Sequence, residues 1–263
     1  MKVTFIGGGT MAEALVSRLV SRGVLACEDI DVVDPADARR ELLRAQYKVR
    51  VHETPRECLT QADVVVLAVK PQDLVKVAPQ LGRLGAGQLL LSILAGVKLE
   101  TLASSFSHDL VVRAMPNTPA QIGMGMTVWT ALPSVGQSDI DRARAILSAL
   151  GDEVYVPEEK YVDMATAVSG SGPAYVFLFA EALVDGAVRI GMPRPMAERL
   201  VNQTIRGSMD YLVQSGRHPA ELRNRVTSPG GTTAAALHEL EKGSLRTLVA
   251  EAIAAAYART KGL

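Results

Sequence analysis

Short apolar runs alternate with stretches of helical periodicity over the first 157 residues. Several of the runs consist almost entirely of Val, Ile and Leu, which is typical of strands that are covered on both faces. This alternation predicts a parallel sheet with right-handed crossovers, whose ligand-binding loops gather at the carboxyl edge of the strands. The predicted strands are 3–6, 30–33, 64–69, 89–93, 110–113 and 126–129.

The hydrophobic pattern changes after Pro157, beyond which strand-like runs are few and Ala, Leu, Glu and Arg are frequent. Apolar residues in this half recur at helical spacing. The predicted helices are 161–168, 175–190, 195–213, 234–240 and 245–260. The chain is therefore predicted to fold into two domains, an α/β domain over 1–157 and an all-helical domain over 158–263.

Several predicted helices carry wide apolar faces, and the segment 175–190 is a clear example. Its apolar residues include Val176, Leu178, Phe179, Leu183 and Val184. A helical domain with such faces is expected to bury part of them against a second copy of the chain, which predicts a homodimer. The alternative is a self-contained helical bundle.

Composition excludes several classes of protein. Lys plus Arg and Asp plus Glu both total 28, so no net charge attracts the chain to nucleic acid or to an anionic membrane. Cys27 and Cys58 lack the spacing of a metal site, and we predict no metal. The N-terminus lacks a signal-peptide pattern and no run of 18 apolar residues occurs, so we expect a cytoplasmic protein without a membrane span.

The strongest chemical signal follows the first predicted strand. Gly7, Gly9 and Ala12 occupy the three small-residue positions of the dinucleotide fingerprint, between an apolar run and a helical pattern. The first permits a tight turn, the second lets the backbone approach a pyrophosphate, and the third allows close packing of helix and strand. The helix N-terminus then offers unpaired N–H groups to phosphates. The alternative is a simple glycine turn.

Asp34 ends the second predicted strand, where an acidic side chain can accept hydrogen bonds from the hydroxyls of an adenosine ribose. Such a residue would repel a 2′-phosphate, whereas Arg39 and Arg40 lie just beyond it and could bind one. The alternative role is structural, because an Asp-Pro pair also starts a turn and caps a helix.

Two further loops follow predicted strands. Lys70 precedes Pro71, which favours an extended conformation that could pass under a cofactor ribose. The segment 115–119 has two prolines that stiffen it around Asn117, as expected of a loop that holds a nicotinamide or a small substrate. The alternatives are a solvated lysine and an ordinary turn.

Glycine-rich segments also interrupt the helical half. Residues 169–173 are predicted to kink a helix so that its backbone closely approaches another group, which could be only a neighbouring helix. Residues 228–233 expose several N–H groups at a helix start, which is typical of an anion site of carboxylate size. The alternative is a helix capped by Thr232 or Thr233.

No hydrolase or metalloprotease motif occurs, and the histidines are scattered along the chain. The sequence therefore favours a reaction that needs neither a metal nor a strong base. Hydride transfer fits, because the cofactor carries the chemistry and the protein mainly positions it.

Taken together, these motifs resemble the pyrroline-5-carboxylate reductase family. The matching segments are 5–11, 68–71, 113–119, 168–176 and 228–233, in family order and over nearly the whole chain. The resemblance implies a Rossmann-like dinucleotide-binding domain followed by an all-helical dimerisation domain. It also implies reduction of 1-pyrroline-5-carboxylate to L-proline with NADPH or NADH, the last step of proline biosynthesis, by a homodimer or a larger assembly of dimers.

The resemblance assigns roles to residues at the matching positions. The pyrophosphate site consists of Gly7, Gly8, Gly9, Thr10 and Met11. Ala68, Val69, Lys70, Pro71, Ala95 and Gly96 line the cofactor cleft, and Met115, Pro116 and Asn117 border the nicotinamide. Ser228, Gly230, Gly231, Thr232 and Thr233 bind the substrate carboxylate, with the Thr233 hydroxyl near the ring nitrogen as a positioning group. Asp34 departs from the residue expected of NADPH users and leaves the cofactor preference open.

Two other functions remain as alternatives. A β-hydroxyacid dehydrogenase or a related imine reductase also joins a Rossmann domain to a helical one, but it usually needs a catalytic Lys or Asp that has no clear counterpart after 169–173. A non-catalytic nucleotide sensor would keep the glycine fingerprint without the anion site at 230–233.

Overall fold

The structure is a computed structural model that describes residues 1–260. The chain divides into two compact units: residues 1–171, to which the end of the last helix from Ala256 also belongs, and the helical unit Gly172–Ala255. The predicted boundary at 157/158 stays a prediction.

One mixed sheet forms the centre of the first unit. Within the described residues it has eight strands in the order β3-β2-β1-β4-β5-β6-β7-β8. The strands are β1 (Val3–Ile6), β2 (Ile30–Val33), β3 (Arg50–His52), β4 (Val64–Leu67), β5 (Leu89–Ser92), β6 (Val111–Met115), β7 (Gly125–Ala131) and β8 (Gly151–Tyr155). Each of the six predicted strands is present, and β3 and β8 were not predicted.

The prediction of a parallel sheet holds from β3 to β6 and is wrong at β7. Strand β7 runs antiparallel to β6, and Ala114 of β6 lies opposite Trp129 of β7. Strand β8 runs parallel to β7. The segment between β6 and β7 contains only the short 3₁₀-helix Thr118–Ile122. A parallel return needs a longer crossover, usually an α-helix, so this short connection makes the chain reverse.

Helices cover both faces of the sheet. They are α1 (Thr10–Ser21), α2 (Asp37–Tyr47), α3 (Leu74–Leu81), α4 (Leu99–Phe106) and α5 (Gln137–Leu147). Neighbouring strand residues alternate between two buried clusters: Val64 and Val66 belong to one, and Val65 and Leu67 to the other. This two-sided burial explains why the strands are nearly continuous apolar runs.

The first unit ends in a helix with an irregular turn. Helix α6 (Lys160–Ala165) leads into the π-helical turn Thr166–Gly170, in which the Ser171 N–H donates to the Thr166 carbonyl at 2.8 Å. A Cβ on Gly170 would lie 2.9 Å from the Met115 methyl group. The close backbone approach predicted for 169–173 is therefore made to a strand residue of the same unit.

The second unit consists of α-helices joined by connecting segments. Its helices are α7 (Gly172–Arg189), α8 (Arg194–Ser215), α9 (Pro219–Arg225), α10 (Thr232–Lys242) and α11 (Leu245–Thr260), the last of which ends in the first unit. Helix α9 was not predicted. It starts with Pro219 at its first position and is capped by His218, whose Nδ1 accepts from the Ala220 N–H at 3.2 Å.

Large apolar side chains of the second unit remain exposed. On α7, Phe177 and Leu178 are 65% and 66% exposed.

The helical stretch Lys160–Arg189 is long and apolar enough to cross a membrane by length and composition alone. The expectation that the chain has no membrane span therefore stays a prediction.

Candidate active site

A cleft opens at the carboxyl ends of β1, β2 and β4, where a doubly wound sheet binds its ligands. Its volume is about 440 Å³. Gly7, Gly9, Asp34, Ala68, Val69 and Lys70 are among its lining residues. Six residues that the sequence assigned to a cofactor thus surround one space.

The glycine turn after β1 requires glycine at its first position. Gly7 has a φ of +99°, and a Cβ there would lie 2.8 Å from the Ala68 carbonyl oxygen. The Gly7 N–H donates to the Val33 carbonyl at 2.8 Å, which ties the turn to the end of β2. A side chain at Gly7 is therefore excluded both by its backbone conformation and by the neighbouring strand.

Gly9 leaves the start of α1 open. It is the N-cap residue of that helix, with extended backbone angles, and no side chain caps the helix. A Cβ built on Gly9 has nothing within 4 Å. The first N–H groups of α1 have no acceptor within the helix, so they are available to an anion that approaches over Gly9.

The carboxylate of Asp34 is held in a fixed orientation at the edge of this cleft. Its Oδ2 accepts from the Gly8 N–H at 2.8 Å, and its Oδ1 accepts from the Ala36 N–H at 2.9 Å. Helix α2 begins at Asp37 without a side-chain cap. Asp34 therefore does not cap α2. Its carboxylate instead accepts from Ala36 in the turn that precedes this helix and from Gly8 in the glycine turn after β1.

Both arginines that follow Asp34 are engaged within the protein. Arg39 donates to the Gly8 carbonyl and pairs with the Glu13 carboxylate. Arg40 donates to the Asp34 and Pro35 carbonyls at 2.8 and 2.9 Å and contacts the Asp37 carboxylate at 3.0 Å. Neither guanidinium lines the cleft.

The other predicted cofactor residues occupy neighbouring strand ends. Lys70 has an extended backbone before the short helix Pro71–Asp73, as the following proline predicts. Gly96 lies after β5 with a φ of +77°. The cleft lining includes Lys70 and does not include Pro71, Ala95 or Gly96.

The loop after β6 is stabilised by internal contacts. The Asn117 amide donates to the Ser169 carbonyl at 3.0 Å, and its oxygen accepts from the Met126 N–H at 2.9 Å. Met115 packs against Gly170. The loop that holds Met115, Pro116 and Asn117 therefore connects β7 with the π-helical turn, and the cleft lining does not include these three residues.

In the second unit, the predicted anion site is an exposed turn at the start of α10. Gly230 has a φ of +68°, and the Gly231 N–H donates to the Ser228 carbonyl at 3.0 Å. Helix α10 begins at Thr232 with Gly231 as its N-cap and no side-chain cap. The predicted alternative, a cap from Thr232 or Thr233, is wrong, and the first N–H groups of the helix are available to an anion.

Comparisons with known proteins identify the family of the chain. Residues 159–263 match the family model for pyrroline-5-carboxylate reductase dimerisation, and residues 2–96 match the model described as NADP oxidoreductase, coenzyme F420-dependent. A pyrroline-5-carboxylate reductase of Synechocystis is 44% identical over 263 residues, which are 100% of this chain and 98% of that protein. The chain belongs to the pyrroline-5-carboxylate reductase family. The resemblance found in the sequence is thereby confirmed, as are the Rossmann-like fold class and the oxidoreductase activity.

Solved structures of the family superpose on the whole chain. The pyrroline-5-carboxylate reductase of Coxiella burnetii has a TM-score of 0.91 at 35% identity, covering 99% of this chain and 97% of its own. The Plasmodium falciparum reductase, solved with NADP bound, has a TM-score of 0.88 at 31% identity, covering 100% of this chain and 97% of its own. A nicotinamide dinucleotide is therefore the cofactor of this family member, as predicted.

The reductase also contains a buried ionic cluster that sequence reasoning missed. Arg113 on β6 has a side chain only 2% exposed, and its guanidinium lies 2.7 Å from both Glu159 and Asp163. Lys98 pairs with the other oxygen of Asp163, and the Leu99 N–H donates to Glu159 at 2.8 Å. The ion pairs of Arg113 with Glu159 and Asp163 hold α6 against β6, next to the loop 115–117. An arginine in an apolar strand was the available sequence signal, because a buried guanidinium needs carboxylate partners.

The ionic state of this cluster follows from its contacts. Burial alone would raise the pKa of the Asp163 carboxyl, but hydrogen bonds from Lys98 and Arg113 and their positive charges hold it below its usual value. Asp163 therefore remains ionised well into the acidic range.

A second group of polar side chains lies at the β2–β3 edge. Among the described residues, Asp31, His52 and Cys58 place possible metal-ligand atoms within 4.8 Å of one another. Arg50, however, donates to both oxygens of Asp31 at 2.9 and 2.6 Å, and His52 contacts Asp31 at 2.7 Å. The carboxylate already has cationic and hydrogen-bonding partners, and we assign no metal to this group.

Proposed function

We propose that this chain catalyses the reaction of its family, the NAD(P)H-dependent reduction of 1-pyrroline-5-carboxylate to L-proline that completes proline biosynthesis. The observation that carries this proposal is the uncapped start of α1, open over Gly9 and bordered by the tight turn at Gly7. A dinucleotide pyrophosphate has the charge and the size that such a site accepts.

The residues of the cleft fit the cofactor. Gly9, Thr10 and Met11 would bind the pyrophosphate through backbone N–H groups, Gly7 and Gly8 would form the turn over which it approaches, and Asp34 would meet the adenosine ribose. When bound, NAD(P)H supplies the hydride that reduces the C=N bond. The residues Ala68 to Pro71, Ala95, Gly96 and Met115 to Asn117 would shape the remainder of the cofactor site.

The start of α10 would bind the substrate. Its carboxylate is the natural handle, because the N–H groups of Thr232 and Thr233 and the positive end of the helix dipole orient it without a buried counter-charge. Ser228, Gly230 and Gly231 form the turn that exposes these groups.

Thr233 would act as a positioning partner for the ring nitrogen. A threonine hydroxyl has too high a pKa to serve as a strong acid, so it acts as a hydrogen-bond partner whose oxygen accepts from the N–H of the protonated imine, and solvent or the substrate itself supplies that proton. The imine is more electrophilic when protonated, and fixing its orientation is the main contribution asked of the protein.

The exposed apolar face of α7 would be covered by a second copy of the chain. Phe177 and Leu178 are more than half exposed, and α7 lies within the segment matched by the dimerisation model. Glu181 and Asp185 on the same helix would be costly in a bilayer, which favours a protein partner over a membrane. We therefore propose a soluble cytoplasmic homodimer, alone or within a larger assembly, that has no nucleic-acid partner.

The direct test follows the absorbance of NADH and of NADPH when 1-pyrroline-5-carboxylate is added to the purified protein. The expected result is substrate-dependent oxidation with formation of proline. Formation of NADH or NADPH from the oxidised cofactor when a 3-hydroxy acid is added, with no oxidation of the reduced cofactor by the imine, would favour a β-hydroxyacid dehydrogenase. Nucleotide binding without turnover of either substrate would indicate a sensor.

A further inference from the structure

We propose that Asp34 makes this reductase select NADH over NADPH. The inference rests on the proposed function and adds the identity of the cofactor to it. The carboxylate of Asp34 lines the cleft at the end of β2. In a doubly wound sheet this position faces the 2′-oxygen of the adenosine ribose, where an acidic group binds a hydroxyl and repels a phosphate.

The first argument is that Asp34 cannot easily turn away. Its two oxygens accept from the Gly8 and Ala36 N–H groups at 2.8 and 2.9 Å. Each carboxylate oxygen has a second lone-pair direction, so the group can still accept from a ribose hydroxyl. An incoming 2′-phosphate would therefore meet a fixed negative charge, and turning that charge aside would leave two backbone donors without their acceptor.

The second argument is that the neighbouring cations are already engaged. A 2′-phosphate site needs a guanidinium or ammonium group close to the ribose. Arg39 donates to the Gly8 carbonyl and pairs with Glu13, while Arg40 donates to the Asp34 and Pro35 carbonyls and pairs with Asp37. Binding a phosphate with either residue would first break these contacts.

The remaining charges of the cleft do not reverse this preference. Besides Asp34, its ionisable lining residues are Glu53, Asp73, Lys70 and Lys76, which makes three acidic and two basic groups. The two lysines follow β4, on the other side of β1 from Asp34. Lys76 also lies 4.0 Å from Asp73. The lysines can attract the phosphates that both cofactors share, so they do not distinguish the two.

The test measures binding directly, with the full-length protein and without substrate. NADH and NADPH are titrated by calorimetry, and 5′-ADP and 2′,5′-ADP are titrated in parallel, since these two fragments probe the contribution of the 2′-phosphate. We expect NADH to bind roughly 10- to 100-fold more tightly than NADPH, with the same order for the fragments. High salt should narrow the difference, because screening weakens charge repulsion.

Two variants assign the effect to Asp34. Asp34→Asn removes the charge and retains an amide oxygen for one backbone donor, so the preference for NADH should fall about 10-fold or more. Asp109→Asn is the matched control: it removes the same charge at an exposed residue of the first unit that lies outside the cleft and far from both arginines in the sequence. This control should leave the ratio of the two affinities unchanged.

Several results would overturn the inference. They are equal or tighter binding of NADPH by the unmodified protein, an unchanged ratio in Asp34→Asn, and an equal shift in Asp109→Asn. If Asp34→Asn does not fold, the fragment titrations of the unmodified protein still decide the question. Absence of binding by both dinucleotides would instead contradict the proposed function.

Discussion

The two units of this chain bury their apolar residues in different ways. The first places strand residues such as Val65 and Leu91 and helix residues such as Leu15 fully inside, on two faces of one sheet. The second leaves Phe177 and Leu178 of α7 mostly exposed. The difference shows that an α/β layer can complete its core within one chain, whereas these helices carry apolar surface that needs a partner. Changes in each unit can break or sharpen this contrast.

The largest expected effect concerns the buried ionic cluster of the first unit. Arg113→Met leaves Asp163 and Glu159 beside the sheet without their shared cation, and removing one partner of a buried pair costs about 3 to 5 kcal/mol. We expect the free energy of unfolding in urea to fall by this amount. Arg194→Met in the second unit is the control, because Arg194 and Asp185 form an exposed pair whose loss should not shift the urea midpoint measurably. Equal losses would show that burial does not distinguish the units.

The next effect concerns the exposed face of the second unit. Phe177→Glu introduces a charge where we propose a second copy packs, which should weaken the dimer by about 2 to 4 kcal/mol. Sedimentation velocity at several protein concentrations measures this change. Val75→Glu on α3 is a matched change at an apolar residue of the first unit that is 81% exposed. It should leave the assembly unchanged, and a Phe177→Glu protein with unaltered assembly would contradict the proposed interface.

A smaller effect separates catalysis from cofactor binding. Thr233→Ala removes one hydroxyl contact at the start of α10, and we expect turnover to fall roughly 10- to 100-fold. The affinity for the dinucleotide should not change, because the cleft is formed by residues of the first unit. Steady-state kinetics and calorimetry provide the two measurements, and Thr101→Ala on α4 controls for loss of an exposed hydroxyl. Unaltered turnover would remove Thr233 from the mechanism.

The smallest effect is a dependence of stability on acid. The folded-state pKa values of Asp31 and Asp163 are both lowered: burial acts to raise them, and hydrogen bonds from Arg50 and His52, or from Lys98 and Arg113, more than offset it. A lowered pKa gives stability that is present above the unfolded-state value of about 3.9 and is lost as pH falls through the folded-state value.

Unfolding in urea between pH 7 and pH 3 measures this dependence. The free energy of unfolding of the unmodified protein should fall towards pH 3. The Asp163→Asn variant should be less stable than the unmodified protein at pH 7, but its free energy of unfolding should fall by less on acidification. Parallel pH curves for the two proteins would show that Asp163 does not contribute to the acid sensitivity.

Apolar periodicity was sufficient to predict much of the fold. The predicted bounds of β1, β2 and α11 coincide with the observed ones, because these segments have strong patterns and clear ends. Strand β8 was missed since Gly151, Asp152 and Glu153 do not form an apolar run. The reversal at β7 was missed because a hydrophobic pattern carries no information on strand direction.

The candidate site was predictable where backbone chemistry is local. Gly7 and Gly9 follow a strand and begin a helix, and their spacing alone indicates an anion site. Arg39 and Glu13 are 26 positions apart in the sequence, and Arg113 and Asp163 are 50 positions apart. Neither contact could therefore be derived from local residue spacing. For the same reason, the sequence left both roles of Asp34 open, and the contact to Gly8 was needed to orient it.

The hydrogen bond between Gly8 and Asp34 has a consequence for redesign of this enzyme. The carboxylate that we propose to face the ribose also accepts from Gly8 in the proposed pyrophosphate loop. A substitution at Asp34 that changes the coenzyme would therefore also remove a hydrogen bond that supports this loop. A successful conversion would therefore need two edits, one to admit the extra phosphate and another to give the Gly8 amide a new acceptor. A single substitution of Asp34 would change the selectivity between NADH and NADPH and at the same time lower the affinity for both.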